Sequence, residues 1–190
     1  MKQQILIKKK VLIAIICALM SMYCSAVHAK EAFSPGSNLP MFNLEVLDSS
    51  DSAYLRTKDT KNISLSQIPA KLIVVEFFSV FCPVCQVNAP FLNRLYHVIR
   101  NDQTLDKDIK VIGVVFIGKT NEIVRFKEKF KVEYPLFEDS RGEIQSRTKV
   151  NYVPLTLVID KNGKIIMSHS GMLKDLDTFL IELRKNHKAL

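Results

Sequence analysis

The run Leu72-Ile73-Val74-Val75-Glu76-Phe77-Phe78 constrains the fold of this 190-residue chain more than any other segment. It is apolar on both faces apart from one carboxylate and rich in β-branched and aromatic residues, which predicts a strand buried on both sides. Shortly after it comes Cys82-Pro83-Val84-Cys85. Beyond that pair, Val87, Phe91, Leu95 and Val98 recur at three- and four-residue spacing, one face of a helix. Pro83 falls in the first turn, where its missing N–H is not needed; Pro90 lies inside the helix and predicts a kink. Two cysteines two residues apart at a strand-to-helix junction are placed for thiol–disulfide exchange, because the free N–H groups and dipole of a helix N-terminus favour a thiolate. The competing use of such a pair is half of a zinc site, but tetrahedral zinc needs about four ligands, and without the N-terminal 29 residues the chain has no second Cys pair and only scattered His.

Strand and helix patterns alternate along the remainder. Residues 42–46 predict a short strand, 48–51 a turn, 52–55 with the polar stretch after it a peripheral strand and loop, and 64–68 a single helical turn. Downstream, 110–117 predict a strand, 121–130 a helix, 135–137 a short strand and 141–148 a short helix. Residues 155–159 and 165–168 predict antiparallel strands joined by the hairpin signal Asp160-Lys161-Asn162-Gly163. A closing helix over 173–185 keeps Leu176, Leu180 and Leu183 in register. The basic cluster at 125–131 reads as the solvated side of an amphipathic helix, with Ile123, Phe126 and Phe130 inward. His97 and His187 read as helix-surface residues. The order predicts the α/β class: a central mixed sheet with helices on both faces, an N-terminal β extension and an inserted αβ element.

Residues 1–29 fit a secretory signal peptide. Lys2, Lys8, Lys9 and Lys10 form a basic start, and 11–22 form an apolar stretch shorter than the about 20 residues of a bilayer span. Val27-His28-Ala29 supplies small or apolar residues at −3 and −1 of a cleavage site. An uncleaved membrane anchor is the alternative. Cleavage would remove Cys17 and Cys24 and leave Cys82 and Cys85 as a local dithiol, so stability must come from the core. It would also remove 4 of the 27 basic residues and none of the 19 acidic ones, leaving a net charge of +4. Export argues against nucleic acid as a partner. Residues 30–40, with Pro35, Gly36 and Pro40, read as a flexible lead-in to a domain over 41–190.

Glu76 is the anomaly of the buried strand. A carboxylate without water or a partner resists ionisation, and an acid tuned that way can take the proton of a thiol directly or through water. Pairing with a nearby Lys is the alternative.

Several features occur together: the CxxC after a buried strand, Pro90 five residues past Cys85, Val153-Pro154 ahead of a Leu-Thr-Leu-Val-Ile-Asp strand, the turn at 160–163, and Gly171 before the last helix. In combination they resemble the exported thioredoxin-fold proteins of the TlpA/ResA-like family, which includes reductants of cytochrome c maturation. The resemblance covers most of 38–183 and implies a thioredoxin-like fold. It implies Cys82 as nucleophile, Cys85 as resolving thiol, and Val153-Pro154 as a cis-proline loop beside Cys82, with the Val153 backbone pairing to an extended substrate segment. Phe81 stands where relatives carry Trp; with Val84 it is expected to form an apolar docking rim, which Phe78 joins unless it packs in the core. Pro83 and Val84 add no charge or hydrogen bond, which implies an intermediate-to-reducing potential. Glu76 stands six residues before Cys82, where thioredoxins place a buried acid. Many cytochrome-maturation relatives have Asn there and an acid three residues after the second Cys, where this chain has Asn88; acid and amide are exchanged.

These readings converge on an exported, periplasmic thiol–disulfide oxidoreductase serving redox homeostasis, a reductant rather than an oxidant. Its partners would be exported proteins carrying disulfides or dithiols and a membrane electron-transfer protein, with no cofactor and no metal. Three alternatives use the same residues: a Cu(I) metallochaperone, a thiol peroxidase and a disulfide-forming oxidase. Met167, His169 and Met172 form a soft-ligand cluster in sequence that hints at copper, with ordinary strand-end residues as the plainer reading.

Overall fold

The apolar run becomes β3 (Leu72–Ser79), and all 8 of its residues are buried. In the computed structural model that describes residues 33–46, 49–58 and 61–190, β3 sits at the centre of a five-stranded sheet. The signal-peptide or anchor segment expected at 1–29 lies outside the described residues. No helix among them is long and apolar enough to cross a membrane.

The chain enters through β1 (Asn43–Glu45), helix α1 (Ser49–Leu55) and β2 (Asn62–Ser64), with β1 and β2 paired antiparallel as a small separate sheet. A 3-10 turn at Leu65–Gln67 leads into β3. Then follow α2 (Pro83–Arg100), α3 (Gln103–Asp108), β4 (Ile109–Ile117), α4 (Thr120–Phe130), β5 (Leu136–Glu138) and α5 (Glu143–Thr148). The chain closes with β6 (Leu155–Asp160), β7 (Ile165–Ser170) and α6 (Leu176–Lys188). The strand order is β5-β4-β3-β6-β7, with β3, β4 and β5 parallel and β6 and β7 antiparallel. This is the mixed sheet that the resemblance implies.

Alternation along β3 builds two cores, as the two-residue period of a strand requires. Leu72, Val74 and Phe78 pack with residues of α2, α4 and α6 on one face. Ile73, Val75 and Phe77 pack on the other with Leu44 of β1, Ile63 of β2, Leu55 and Ile144. Gly113 on β4 is paired with Glu76, and a Cβ there would come within 2.5 Å of Leu136 Cδ2 and 2.9 Å of Phe78 Cε1. The missing side chain is what lets these two and Tyr134 close over the sheet beside the acid.

Some expectations need correction. The peripheral strand expected at 52–55 is part of α1; Asp51, Ser52 and Leu55 are its buried positions, a helical rather than alternating spacing, and the second strand forms at 62–64 instead. Tyr54 from this helix gives its hydroxyl oxygen to the Val111 N–H at 2.9 Å, a donor that β5 is too short to reach. The lead-in expected to be flexible is packed from residue 33: Phe33 and Leu39 are buried, and Gly36 and Leu39 donate to Ile165 O and Gly163 O at 2.8 Å each. Val87 is 56% exposed, because the inward stripe of α2 runs through Cys85, Asn88, Ala89, Phe91, Leu92, Leu95 and Ile99. The closing helix starts at Leu176, not at 173, because Asp175 caps it by accepting the Asp177 and Thr178 N–H groups at 3.0 and 3.2 Å. His187 is buried, not on the surface, with Nε2 2.8 Å from Asp108 Oδ2. Helix α3 carried no apolar periodicity long enough to read.

Lys110 lies inside the sheet with no exposed side-chain surface. Its Nζ donates to the Asp106 carbonyl at 2.5 Å and sits 4.6 Å from the Tyr54 ring centroid. The Asp106 carboxylate, 3.4 Å from that ammonium, is also gripped by Arg56 and Arg100 at 2.7 and 2.6 Å. Removing one member of a buried pair strands the other charge, whereas an apolar replacement of the cation does not. Asp106→Ala is expected to lower unfolding stability by about 3 kcal/mol. Lys110→Met, which leaves Asp106 both arginines, is expected to stay within about 1 kcal/mol of the wild type. Urea unfolding of both variants checks the contrast, and equal losses would contradict it.

Candidate active site

At the end of β3 the parallel register shifts between Phe78 and Ser79 and the chain turns sharply into α2. Three contacts hold the turn. The Cys82 N–H donates to Ser79 O at 3.2 Å, the Phe81 N–H to Ser79 Oγ at 3.2 Å, and Gln86 Nε2 to Val80 O at 3.0 Å. Cys82 is thereby the N-cap of α2, with Pro83 at the first helical position, as the sequence predicts. The Cys85 N–H points at Cys82 Sγ, 3.4 Å away, so the sulfur occupies the place of a capping oxygen and faces an unpaired helix-end donor. Cys82 is half-buried, and Cys85, one turn in, is buried; both are free cysteines. Burial pushes the Cys85 thiol far up, and its hydrogen bond to Cys82 pushes the same way.

Glu76 is directed to the same side of the sheet as α2 and is 2% exposed. No Lys meets it. Thr156, its cross-strand neighbour on β6, donates its hydroxyl to Glu76 Oε2 through a short hydrogen bond, and Asn88 Nδ2 donates to Oε1 at 3.2 Å. Burial raises the Glu76 carboxyl to about 7, against these two bonds, which pull it down. Its charge reaches Cys85, adding to the upward push on that thiol. Tyr134, fully enclosed nearby, is also held well above its usual range, first by burial and then by Glu76 and Cys85.

Asn88 joins parts of the site that are distant in sequence. Besides Glu76, its Nδ2 donates to Gly171 O at 3.1 Å, and its Oδ1 accepts the Leu173 N–H at 2.9 Å. The Gly171 N–H in turn donates to Pro154 O at 3.0 Å. The Val153–Pro154 bond is cis. The exchanged acid and amide are therefore bonded partners, and their pairing ties the central strand, α2 and the loop after β7 into one unit that reaches the cis-proline. Thr156 and Tyr134 were not singled out from sequence. The legible signal for Thr156 was a lone hydroxyl in an otherwise apolar strand.

Phe81 is 58% and Val84 39% exposed, forming an apolar rim, whereas Phe78 is a core residue, its ring 5.2 Å from that of Phe126. Val153 is partly buried against the core of this face, as is Cys82. Of the three residues of the soft-ligand cluster, Met172 is 40% exposed. Met167 is buried, and His169 Nε2 lies 3.0 Å from the Met172 carbonyl oxygen.

The Glu76 carboxyl makes stability depend on pH with a definite sign. A carboxyl raised from 4.5 to about 7 holds its proton more tightly in the folded state. Its contribution is therefore complete below about pH 4.5 and lost as pH rises through about 7, about 3 kcal/mol in all. Reduced wild-type protein is expected to lose that stability between pH 4.5 and 8 in denaturant titrations. Glu76→Gln is expected to flatten this part of the curve, and an unchanged slope would place the proton elsewhere.

The sequence pattern of the AhpC/TSA family matches residues 35–168. Thiol-disulfide oxidoreductase ResA of Bacillus subtilis is 23% identical over 175 residues, covering 92% of this chain and 89% of the relative. Among solved structures, a Chlorobium tepidum protein described as a thiol:disulfide interchange protein DsbE superposes with a TM-score of 0.64 at 20% identity, over 82% of this chain and 99% of that one. The thioredoxin domain of a thiol-disulfide oxidoreductase from Bacteroides vulgatus gives 0.59 at 18% identity, over 80% and 96%. At that identity the structural likeness carries the fold, while the family pattern, which runs over well more than half of the residues, carries the kinship. The chain belongs to the AhpC/TSA family, has the thioredoxin-like fold, and falls with its TlpA/ResA-like thiol–disulfide oxidoreductases.

Proposed function

We propose that this chain is an exported, periplasmic thiol–disulfide oxidoreductase that reduces disulfides in other exported proteins, apocytochromes c being one class of such substrate. The observation that carries the reading is the buried Glu76 carboxyl, raised to about 7 and electrostatically coupled to the buried Cys85 thiol. Burial keeps Cys85 protonated, so its proton needs an acceptor at the moment it attacks, and an acid near neutral pH in the same core supplies one. The names of the sequence relatives support the reaction class, and the signal-like pattern of 1–29 supports export.

The reaction runs in two exchanges. Cys82 Sγ, as the thiolate, attacks one sulfur of the substrate disulfide. A Cys82–substrate disulfide forms, the substrate S–S bond breaks, and the departing sulfur takes a proton from solvent. Cys85 then gives its proton to Glu76 and attacks Cys82 Sγ. The intramolecular disulfide forms, the mixed disulfide breaks, and the second substrate sulfur leaves as a thiolate that takes a proton from solvent. Two electrons have passed from the dithiol to the substrate, and a membrane electron donor restores them. Phe81 and Val84 give the substrate an apolar landing beside Cys82, and the cis-proline loop offers the Val153 backbone to an extended segment.

Cys85→Ser is expected to accumulate the mixed disulfide, visible on non-reducing gels, because the second exchange cannot occur. Glu76→Gln is expected to slow that exchange by about 10²-fold or more at pH 7 while leaving the first one close to wild type; stopped-flow separation of the two phases checks it. Equilibration with dithiothreitol buffers is expected to give a reduction potential of about −250 mV or lower, near thioredoxin's about −270 mV. A value near about −120 mV would make the protein an oxidase of folding chains instead.

A further inference from the structure

Beside the thiols, between the loop that ends at Cys82 and the exposed side of α4, lies an open groove of about 230 Å³ lined by Val80, Phe81, Gln86, Phe126, Phe130 and a charged rim. Its floor continues the core outward: Phe78 packs on Phe126 at 5.2 Å between ring centroids, and Phe126 on Phe130 at 4.8 Å. Its walls reach the reactive sulfur through the backbone, since Phe81 precedes Cys82 and the Gln86 N–H donates to Cys82 O at 3.0 Å. Room for one large apolar side chain therefore adjoins the nucleophile.

The rim is cationic. Arg125 and Lys129 are exposed and one helical turn apart on α4, and no ion pair among the described residues involves either of them. Like charges at that spacing repel modestly, a strain that a bound carboxylate would relieve. The Lys129 ammonium is held 5.0 Å from the Phe130 ring centroid, which keeps it at the groove. The acid in the lining, Glu122, has Oε2 on the Lys119 N–H at 2.8 Å, where it caps α4 and is turned to its own helix end.

We infer that this groove selects the substrate, and that its occupant is a segment of the disulfide partner bearing an apolar side chain flanked by a carboxylate close to the reacting cysteine. The inference rests on the thiol–disulfide reading and adds the chemistry of the partner. The apolar side chain fills the space over Phe126 and Phe130, and the Asp or Glu beside it meets Arg125 and Lys129. Exposed charges of this kind act on encounter and orientation more than on final affinity. The second-order rate of the first exchange is where the selection is read.

The test uses reduced protein and two fluorogenic disulfide peptides that share a Leu beside the cysteine and differ only in a flanking Glu or Lys. Hydroxyethyl disulfide, which has neither group, reports the thiol chemistry alone. The wild type is expected to react with the Glu peptide about tenfold faster than with the Lys peptide at low salt, with the gap closing in 0.5 M NaCl, an added salt at which exposed charges are screened at about the few-ångström scale. Arg125→Glu/Lys129→Glu is expected to reverse the preference. That preference is a ratio of two rates on one sample, so the fraction of active protein cancels. Equal rates in the wild type, or a preference unchanged in the double variant, would overturn the groove while hydroxyethyl disulfide is still reduced. Reduction of neither peptide nor of hydroxyethyl disulfide would overturn the thiol–disulfide reading and the groove together.

Discussion

Glu76 sits in the middle of the central strand, beneath α2 and out of reach of water, and the structure around it is arranged to tolerate it. A buried polar group without partners is expensive. Here Thr156 reaches across from β6 and Asn88 down from α2, so each carboxyl oxygen has a donor. Those two bonds temper the effect of burial without cancelling it, and the carboxyl is left near neutral pH. The same arrangement positions other parts. Asn88 cannot hold the acid without also fixing the loop at Gly171 and Leu173, and Gly171 holds Pro154. Gly113 leaves the opposite side of the acid open for Phe78, Leu136 and Tyr134 to close.

The thiols are governed by the junction above. Cys82 is half-buried at the N-cap, where the Cys85 N–H faces its sulfur, and Cys85 is drawn inside by the inward stripe of α2. One turn of helix thus separates a half-buried sulfur that a substrate can meet from a sulfur buried behind it. This division suits a two-step exchange, because the outer sulfur meets the substrate while burial holds the inner one protonated until it is needed. The apolar rim of Phe81 and Val84, and the groove under Arg125 and Lys129, extend the outer half of the site across the surface.

Much of this was legible in the chain. The β3 run, the CxxC, Pro83 in the first turn, the Asp160–Gly163 hairpin and the odd acid are local signals, each set by a short stretch whose pattern has one good structural solution. The Val153–Pro154 loop became readable only through several spaced motifs together. Where the reading failed, the deciding contacts were distant. The 52–55 segment is too short for its pattern to separate strand from helix, and it became helix because Leu55 is buried under the sheet and Tyr54 meets Val111. His187 looked like surface because Asp108 is 79 residues away. Residues 33–40 read as loose because of Pro35, Gly36 and Pro40, yet their partners are on β7 and its turn.

The sequence by itself determined the reaction class: two cysteines one helical turn apart, behind a strand too apolar to be anywhere but the centre, are a local feature that survives any packing of the rest. Tertiary structure decided how that dithiol is tuned. The partners of Glu76 come from positions 12 residues and 80 residues away, and whether the acid meets a lysine, water or two neutral donors depends on which strands and helices lie against it. The charge state of a buried group is a property of its surroundings, and those surroundings exist only once β6 and α2 have closed over β3.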